Sequence, residues 1–259
     1  MNTSDLENFA ASMNRMADAS GELIRTDRLK TFDTEIKGDG SPVTSVDQAA
    51  ETRIREIITE LHPDHGISGE EFDDFEPDRE FVWIIDPIDG TLPFLAGFPV
   101  FGTLIALLQN GNPILGTIDF PMTRDRWIGG AGRPTTYNGS TVRTRPCDDL
   151  SKAMLSTSNP DFYDDNTRPA FEAIKQASQL NIYGGSCMAY AQIASGRIDV
   201  GMDVKFDIHD YLPLVPVIMG AGGIITDWDG NPLNQNSGDR LVAAGDVRVH
   251  EQALKLIQA

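Results

Sequence analysis

Apolar residues recur at helical spacing near the start of the chain. Leu6, Phe9, Ala10, Met13, Met16, Ala17 and Leu23 share one stripe, which predicts an amphipathic helix over 4–24. Ser4 and Glu7 match a capping box at its start. Residues 29–40 read as extended chain that closes in the loop Gly38-Asp39-Gly40-Ser41-Pro42. A second stripe, Ile54, Ile57, Ile58 and Leu61, predicts a helix from Ser45 to about Leu61, with Ser45 and Gln48 suited to its cap. Asp47 falls in the first turn, where the helix macrodipole favours a carboxylate. His62-Pro63-Asp64-His65-Gly66 then reads as a turn. Its H-x-x-H spacing suggests a metal, but Pro63 and Gly66 oppose a helix that would present both rings.

The pattern now changes to strands. Ile67-Ser68-Gly69 is a short strand ending in Glu70-Glu71, and 72–80 is an acidic loop that reads as a solvated face. Residues 81–86 form an apolar, β-prone strand, followed by a loop over 92–98 in which Phe94 and Phe98 pack. Strands at 99–108 and 113–119 surround the turn Gln109-Asn110-Gly111-Asn112, and 125–129 and about 134–144 continue the meander. From Met154 strands (153–157, 181–183, 198–202, 224–228, 241–244) alternate with helices (168–179, 186–194, 209–220, 247–258). The expected division is therefore 1–148, two helices and a mostly antiparallel sheet, and 149–259, an α/β part, packed as one unit.

Composition narrows the function classes. Hydrophobic residues make up 40% and charged residues 23% of the 259, as in an ordinary soluble globular chain. No apolar run approaches the roughly 20 residues of a membrane span, and no secretory signal is visible. A net charge of −18, from 39 acids and 21 bases, opposes binding to a nucleic-acid backbone. It also suits clustered carboxylates held together by cations. Two cysteines, Cys147 and Cys187, make a disulfide scaffold or a Cys zinc site improbable and fit a reducing cytoplasm.

The chemistry concentrates in Asp86-Pro87-Ile88-Asp89-Gly90-Thr91. A proline and a glycine set the backbone at a strand end and deliver two acids to one place. Mg²⁺ takes such hard oxygen ligands in a rigid octahedron; the same residue types also suit a solvated turn. Two more stretches end in acids: Glu70, then Asp207 and Asp210. Gly90-Thr91 exposes amides beside them, and such amides bind phosphate oxygens. Metals plus oriented amides beside an anion describe a phosphoryl-transfer site.

These residues resemble the metal motif of the inositol monophosphatase superfamily of Mg²⁺-dependent, lithium-sensitive phosphatases. Ser41-Pro42-Val43-Thr44 with Asp47, Gly69-Glu70-Glu71, Gly184-Gly185-Ser186, and Asp210 twelve residues before Gly222-Gly223 follow in that family's order. The resemblance covers about 37–230. It implies a layered αβαβα sandwich, α+β and α/β in character, of the inositol monophosphatase and fructose-1,6-bisphosphatase type. The details look most like the histidinol-phosphate phosphatase branch: Phe101-Gly102-Thr103-Leu104-Ile105-Ala106-Leu107, Arg126-Trp127-Ile128-Gly129, Thr135-Thr136-Tyr137-Asn138-Gly139 and Leu214-Val215-Pro216. Two positions depart from that branch. Ser186-Cys187-Met188 stands where Asp-Cys-Tyr is usual, and Asp203 stands where Glu is usual.

By resemblance, Glu70, Asp86 and the Ile88 carbonyl hold one Mg²⁺. Asp86, Asp89 and Asp210 hold a second, and a third, weaker ion lies near Glu70. Thr91, hydrogen-bonded to Asp47, orients the attacking water and with Glu70 helps take its proton. The Gly90 and Thr91 amides bind the phosphoryl oxygens, while Ser186, Asp203 and Asp210 face the alcohol. The resemblance implies a homodimer acting on a small phosphate monoester, while the cysteine usage points to the cytoplasm and the acidity and hydropathy to no nucleic-acid or membrane partner. Histidinol phosphate is the first reading. Inositol 1-phosphate or another polyol phosphate is the alternative, and a 3′-phosphoadenosine nucleotide comes third. A non-catalytic metal-binding regulator is the rival class; it would not need Thr91 and Asp47. Asp207 reads as a helix-start residue and His209 as a partly exposed helix residue.

Overall fold

The computed structural model describes residues 3–38 and 40–259. Helices α1 (Thr3–Asp27) and α2 (Ser45–Leu61) are separated by a hairpin of β1 (Thr34–Ile36) and β2 (Pro42–Thr44). The cap expected from the Ser4 side chain, and Asp39 of the following loop, lie outside the described residues. The cap of α2 sits one residue earlier than expected. Thr44 is the N-cap and Asp47 completes the capping box, in place of Ser45 and Gln48. Several polar residues at this point can serve as a cap, and the close reach of Asp47 back to Thr44 decides among them.

A seven-stranded sheet follows in chain order: β3 (Gly66–Gly69), β4 (Phe81–Asp89), β5 (Gly102–Gln109), β6 (Asn112–Phe120), β7 (Asp125–Gly130), β8 (Arg133–Tyr137) and β9 (Ser140–Thr141). Its neighbours are antiparallel except for β3 and β4, which are parallel. Asn110-Gly111 and Asn138-Gly139 both have positive φ at both residues, the requirement of a two-residue type I′ hairpin. The second of these turns divides the strand expected over 134–144. The loop expected at 92–98 contains a short helix, α3 (Thr91–Ala96), bounded by the left-handed glycines Gly90 and Gly97.

The second sheet is mixed and five-stranded, ordered β11-β10-β12-β14-β13. It contains β10 (Met154–Thr157), β11 (Leu180–Tyr183), β12 (Val200–Val204), β13 (Ile224–Thr226) and β14 (Arg240–Ala244). Its helices are α4 (Arg168–Ala177), α5 (Cys187–Ala194), α6 (Ile208–Tyr211), α7 (Leu214–Gly220) and α8 (Val247–Ile257). The helix expected over 209–220 is thus two helices. Pro213 cannot donate to a continuing ladder, and its ring crowds the carbonyl four residues back; Pro216 is tolerated because it lies in the first turn of α7.

Alternation along β4 and β5 builds the layers. Trp83, Ile85, Ile105 and Leu107 pack against α1 and α2. Val82, Ile84, Leu104 and Ala106 face Tyr190 and Ile193 of α5, Val217 and Ile218 of α7, and Leu241 and Ala243 of the second sheet. The other face of that sheet, with Leu155, Val200, Met202 and Val242, is covered by Phe171 and Ile174 of α4 and Val249 and Ala253 of α8. The result is the expected αβαβα sandwich. A strand buried on both faces reads as a continuous apolar run, and Val82 to Ile85 is such a run.

Candidate active site

Strand β4 was expected to end at Asp86, but it runs to Asp89 with its register shifted. Asp86 faces Leu104 and Asp89 faces Gly102, so β4 holds one extra residue against β5. This bulge has a chemical consequence. In a regular strand, residues three apart point to opposite faces. The extra residue returns Asp89 to the side of Asp86. Pro87 contributes no ladder N–H at this point. The buried Thr103 hydroxyl donates to the Pro87 carbonyl at 2.9 Å and holds the irregular backbone.

Asp210 joins them from α6. Asp207 is the N-cap of that helix, as its position predicted, and its N–H donates to Asp210 Oδ2 at 2.8 Å. Carboxylate oxygens of Asp86, Asp89 and Asp210 all lie within 4.8 Å of one another. Burial raises the pKa of Asp86 well above the ordinary range, and the charges of Glu70, Asp89 and Asp210 raise it further. Burial likewise raises Asp210, helped by Asp207 and Asp89. Asp89 is also raised by burial, against the pull of the Cys187 N–H that donates to its Oδ2 at 2.8 Å. Asp86 Oδ1 is buried with no hydrogen-bond partner. An orphaned oxygen among mutually repelling acids fits a divalent cation, which would satisfy the oxygen and cancel the repulsion.

Glu70 stands beside this group, with one carboxylate oxygen in an ion pair. Lys37 Nζ lies 2.8 Å from Glu70 Oε1 and 2.9 Å from Glu71 Oε1. Burial works to lower the Lys37 pKa, but the two carboxylates outweigh it and raise the net value. Burial pushes the Glu71 carboxyl up to about 7 despite Lys37. Glu71's own N–H donates to Glu51 Oε2 at 2.8 Å, which ties this loop to α2.

Gly90 adopts φ +87, and a Cβ built there would lie 3.1 Å from Ser186 Oγ. Ser186 itself holds φ 43 at the start of α5. Gly90 and Ser186 are therefore neighbours, a contact the sequence had not indicated. The amides of Gly90 and Thr91 precede the first bond of α3, from the Phe94 N–H to the Gly90 carbonyl. Thr91 and Asp47 make different bonds from those expected. The Thr91 hydroxyl donates to the Ile88 carbonyl at 3.3 Å, and Asp47 Oδ2 accepts both the Thr44 N–H at 3.0 Å and the Thr44 hydroxyl. Burial still raises the Asp47 pKa. Asp203 was expected to face substrate, yet it is buried with its carboxylate bonded to Thr157, Ser158 and Tyr190. His209 bonds Ser68 Oγ at 3.2 Å and Asp207 Oδ1 at 3.0 Å; burial acts to lower its pKa, but Asp207 outweighs it and raises the value.

Lys37, Thr103, Glu51 and the Cys187 amide were not read from the sequence. Lys37 had one usable signal, a lone base just before the Gly38–Gly40 loop. The others act through contacts between distant strands or through the backbone, and leave no local pattern.

The fold and the acidic site define a phosphatase. The chain belongs to the inositol monophosphatase family, whose sequence profile it matches over residues 5–259. That family is metal-dependent, in keeping with the acidic cluster. All of the chain aligns, at 44% identity, with 77% of the chloroplastic bifunctional phosphatase IMPL2 of Arabidopsis thaliana. The histidinol-phosphatase of Mycobacterium tuberculosis is 31% identical, over 94% of this chain and 95% of that one. An inositol monophosphatase structure from Zymomonas mobilis superposes with a TM-score of 0.89 at 36% identity, covering 98% of each chain. Among the described residues, no helix is long and apolar enough to cross a membrane.

Proposed function

We propose that the chain is a Mg²⁺-dependent phosphomonoesterase whose substrate is histidinol phosphate, hydrolysed to histidinol and phosphate in histidine biosynthesis. The observation that carries the chemistry is the Asp86–Asp89–Asp210 cluster, with its orphaned oxygen, beside the Gly90–Thr91 turn. Similarity to a histidinol-phosphatase supports the substrate. So does the mouth of the site, where the Asp207 carboxylate is 61% exposed and its pKa is lowered: burial opposes this, and the bonds from His209 outweigh it. The exposed Asp207 carboxylate, with Oδ1 on His209, offers a partner to the cationic amine of histidinol that the neutral ring of inositol lacks the charge to use.

In this reading Asp86, Asp89 and Asp210 would hold one Mg²⁺. Glu70, the Ile88 carbonyl and Asp86 would hold a second, and Glu70 would border a third. Bound ions supply Lewis-acid charge to the phosphoryl and leaving oxygens and lower the pKa of water. The amides of Gly90 and Thr91 receive the phosphoryl oxygens. Thr91, whose hydroxyl proton is committed to Ile88, offers its lone pairs to orient the attacking water. Glu70 accepts the water's proton, and Asp47 holds the start of α2 beside it. Ser186 and Asp210 border the alcohol. The buried free thiols of Cys147 and Cys187 agree with a reducing cytoplasm. Exposed Leu92, Leu95 and Phe98 of the α3 region, and Leu180, Ile182 and Tyr183 of an edge strand, suit a homodimer that covers them.

Phosphate release is the test, measured with Mg²⁺ and with chelator on histidinol phosphate, inositol 1-phosphate, glycerol phosphate and a 3′-phosphonucleotide. Mg²⁺-dependent release with a preference for histidinol phosphate is expected. A preference for inositol 1-phosphate overturns the substrate, and release that is indifferent to chelator overturns the metal chemistry.

A further inference from the structure

Asp203 lies in the middle of β12, and only 1% of it is exposed. Its Oδ1 accepts from the Thr157 hydroxyl and the Ser158 N–H, both at 2.8 Å. Its Oδ2 accepts from the Ser158 hydroxyl at 3.1 Å and the Tyr190 hydroxyl at 2.7 Å. A carboxylate offers roughly four lone-pair sites, so these donors fill it and leave nothing for a substrate hydroxyl or amine. Burial pushes the Asp203 carboxyl up to about 6 against the four donors.

The donors come from two elements. Thr157 ends β10 and Ser158 follows it, and Tyr190 stands one turn into α5. Tyr163 extends the network, with its hydroxyl 3.0 Å from Thr157 Oγ1 and donating to the Met202 carbonyl at 2.8 Å. Helix α5 begins at Cys187, whose N–H holds Asp89 Oδ2. The start of that helix is not secured by its own cap. Ser186 makes no side-chain cap bond and occupies φ 43, a conformation that persists only where the surroundings impose it. One turn in, α5 is tied to the second sheet by the bond of 2.7 Å from the Tyr190 hydroxyl to Asp203 Oδ2, made by a fully buried ring.

We propose that Asp203 is a positioning residue for the metal site: it anchors Tyr190, and through α5 the Cys187 amide that orients the Asp89 carboxylate. The proposal rests on the metal-dependent reading of the site. It departs from the expectation carried by the resemblance to the histidinol-phosphate phosphatase branch, where glutamate is usual at this position and the side chain would face the alcohol. The shorter aspartate commits its carboxylate to Thr157, Ser158 and Tyr190.

The test uses the full chain as wild type, D203N and Y190F. Mg²⁺ is titrated by calorimetry and by the rise it causes in the thermal midpoint, and KM for histidinol phosphate is measured at saturating Mg²⁺. Losing the hydrogen-bond partners of metal ligands costs about 10–100-fold in metal affinity, so both variants should weaken Mg²⁺ binding by about tenfold while KM stays within about twofold. A rise in KM with Mg²⁺ affinity unchanged would make Asp203 a substrate contact and overturn the proposal. A lower thermal midpoint with unchanged Mg²⁺ affinity would reduce it to ordinary structural support and overturn it equally. Should D203N fail to fold, Y190F decides alone, because it keeps the ring and removes one hydroxyl. A wild type that binds Mg²⁺ but releases no phosphate refutes the catalytic reading without touching this one.

Discussion

The two ends of β4 both gather titratable side chains, and they do opposite things with them. Near its start, His62 and His65 stack with ring centroids 4.9 Å apart, and Trp83 Nε1 donates to His65 Nδ1 at 3.1 Å. His62 Nε2 meets Ser12 Oγ at 2.9 Å, and Phe9 and Phe81 pack around the pair. Burial lowers the His62 pKa to about 4, and His65 adds to the effect. These rings are neutral, paired and packed. At the other end Asp86, Asp89 and Asp210 are crowded together, their pKa values raised, and Asp86 Oδ1 has no partner. A cluster of ionisable groups therefore marks chemistry when its members are left opposed and unsatisfied. When they satisfy one another they form part of the core. The H-x-x-H spacing and the Asp-x-x-Asp spacing are equally short motifs, and only this difference separates them.

The largest effect should come from Asp86. Asp86→Asn should cut Mg²⁺-dependent turnover by more than about 100-fold, beyond the loss caused by removing a partner of a metal ligand. The same change should raise the thermal midpoint of the metal-free protein, because it removes a carboxyl whose ionisation burial and its acidic neighbours oppose in the folded state. A variant that kept most of its turnover would break the contrast between the two ends. Gly90→Ala comes next. It forces an L side chain to φ +87 and toward Ser186 Oγ, which costs about 1–3 kcal/mol in denaturant unfolding. Asp47→Asn should leave Mg²⁺ affinity near wild type but slow kcat, and weakening the capping box should lower stability by about 1 kcal/mol. Mg²⁺ calorimetry beside steady-state kinetics separates the two consequences.

The smallest effect lies at the histidine end and concerns pH. The folded pKa of His62 is lowered from 6.5 to about 4, so between those values the unfolded chain binds more protons than the native one. Stability contributed by this group is present above pH 6.5 and is lost as pH falls toward 4. Unfolding of His62→Gln across that range should show a shallower acid limb. The acidic end slopes the other way. Burial raises Glu71 from 4.5 to about 7, so its contribution is present below pH 4.5 and is lost as pH rises through 7 in metal-free protein. Parallel slopes at the two ends would contradict their different packing.

Most of the architecture was legible in the chain. Stripes at helical spacing foretold α1 and α2, and the double-sided apolar run foretold a buried strand. Errors clustered where backbone and side chain compete locally. Thr44 took the cap from Ser45, Pro213 divided one helix into two, and Asn138-Gly139 broke a strand that hydrophobic pattern alone would continue. In the site, the acids and Gly90-Thr91 were legible because their chemistry resides in residue type and local spacing. Lys37, Thr103 and Tyr190 were not, because each acts on a residue far along the chain: Glu70, Pro87 and Asp203.

By itself, then, the sequence determined the main helices and strands, through hydrophobic period, and the family, through motifs whose residue chemistry is local; the layered arrangement entered as what that resemblance implied. Only the tertiary structure decided that a bulge turns Asp86 and Asp89 to one side, that Asp210 completes their group from α6, and that Asp203 faces inward. Each of these depends on register and packing between segments that no local pattern relates.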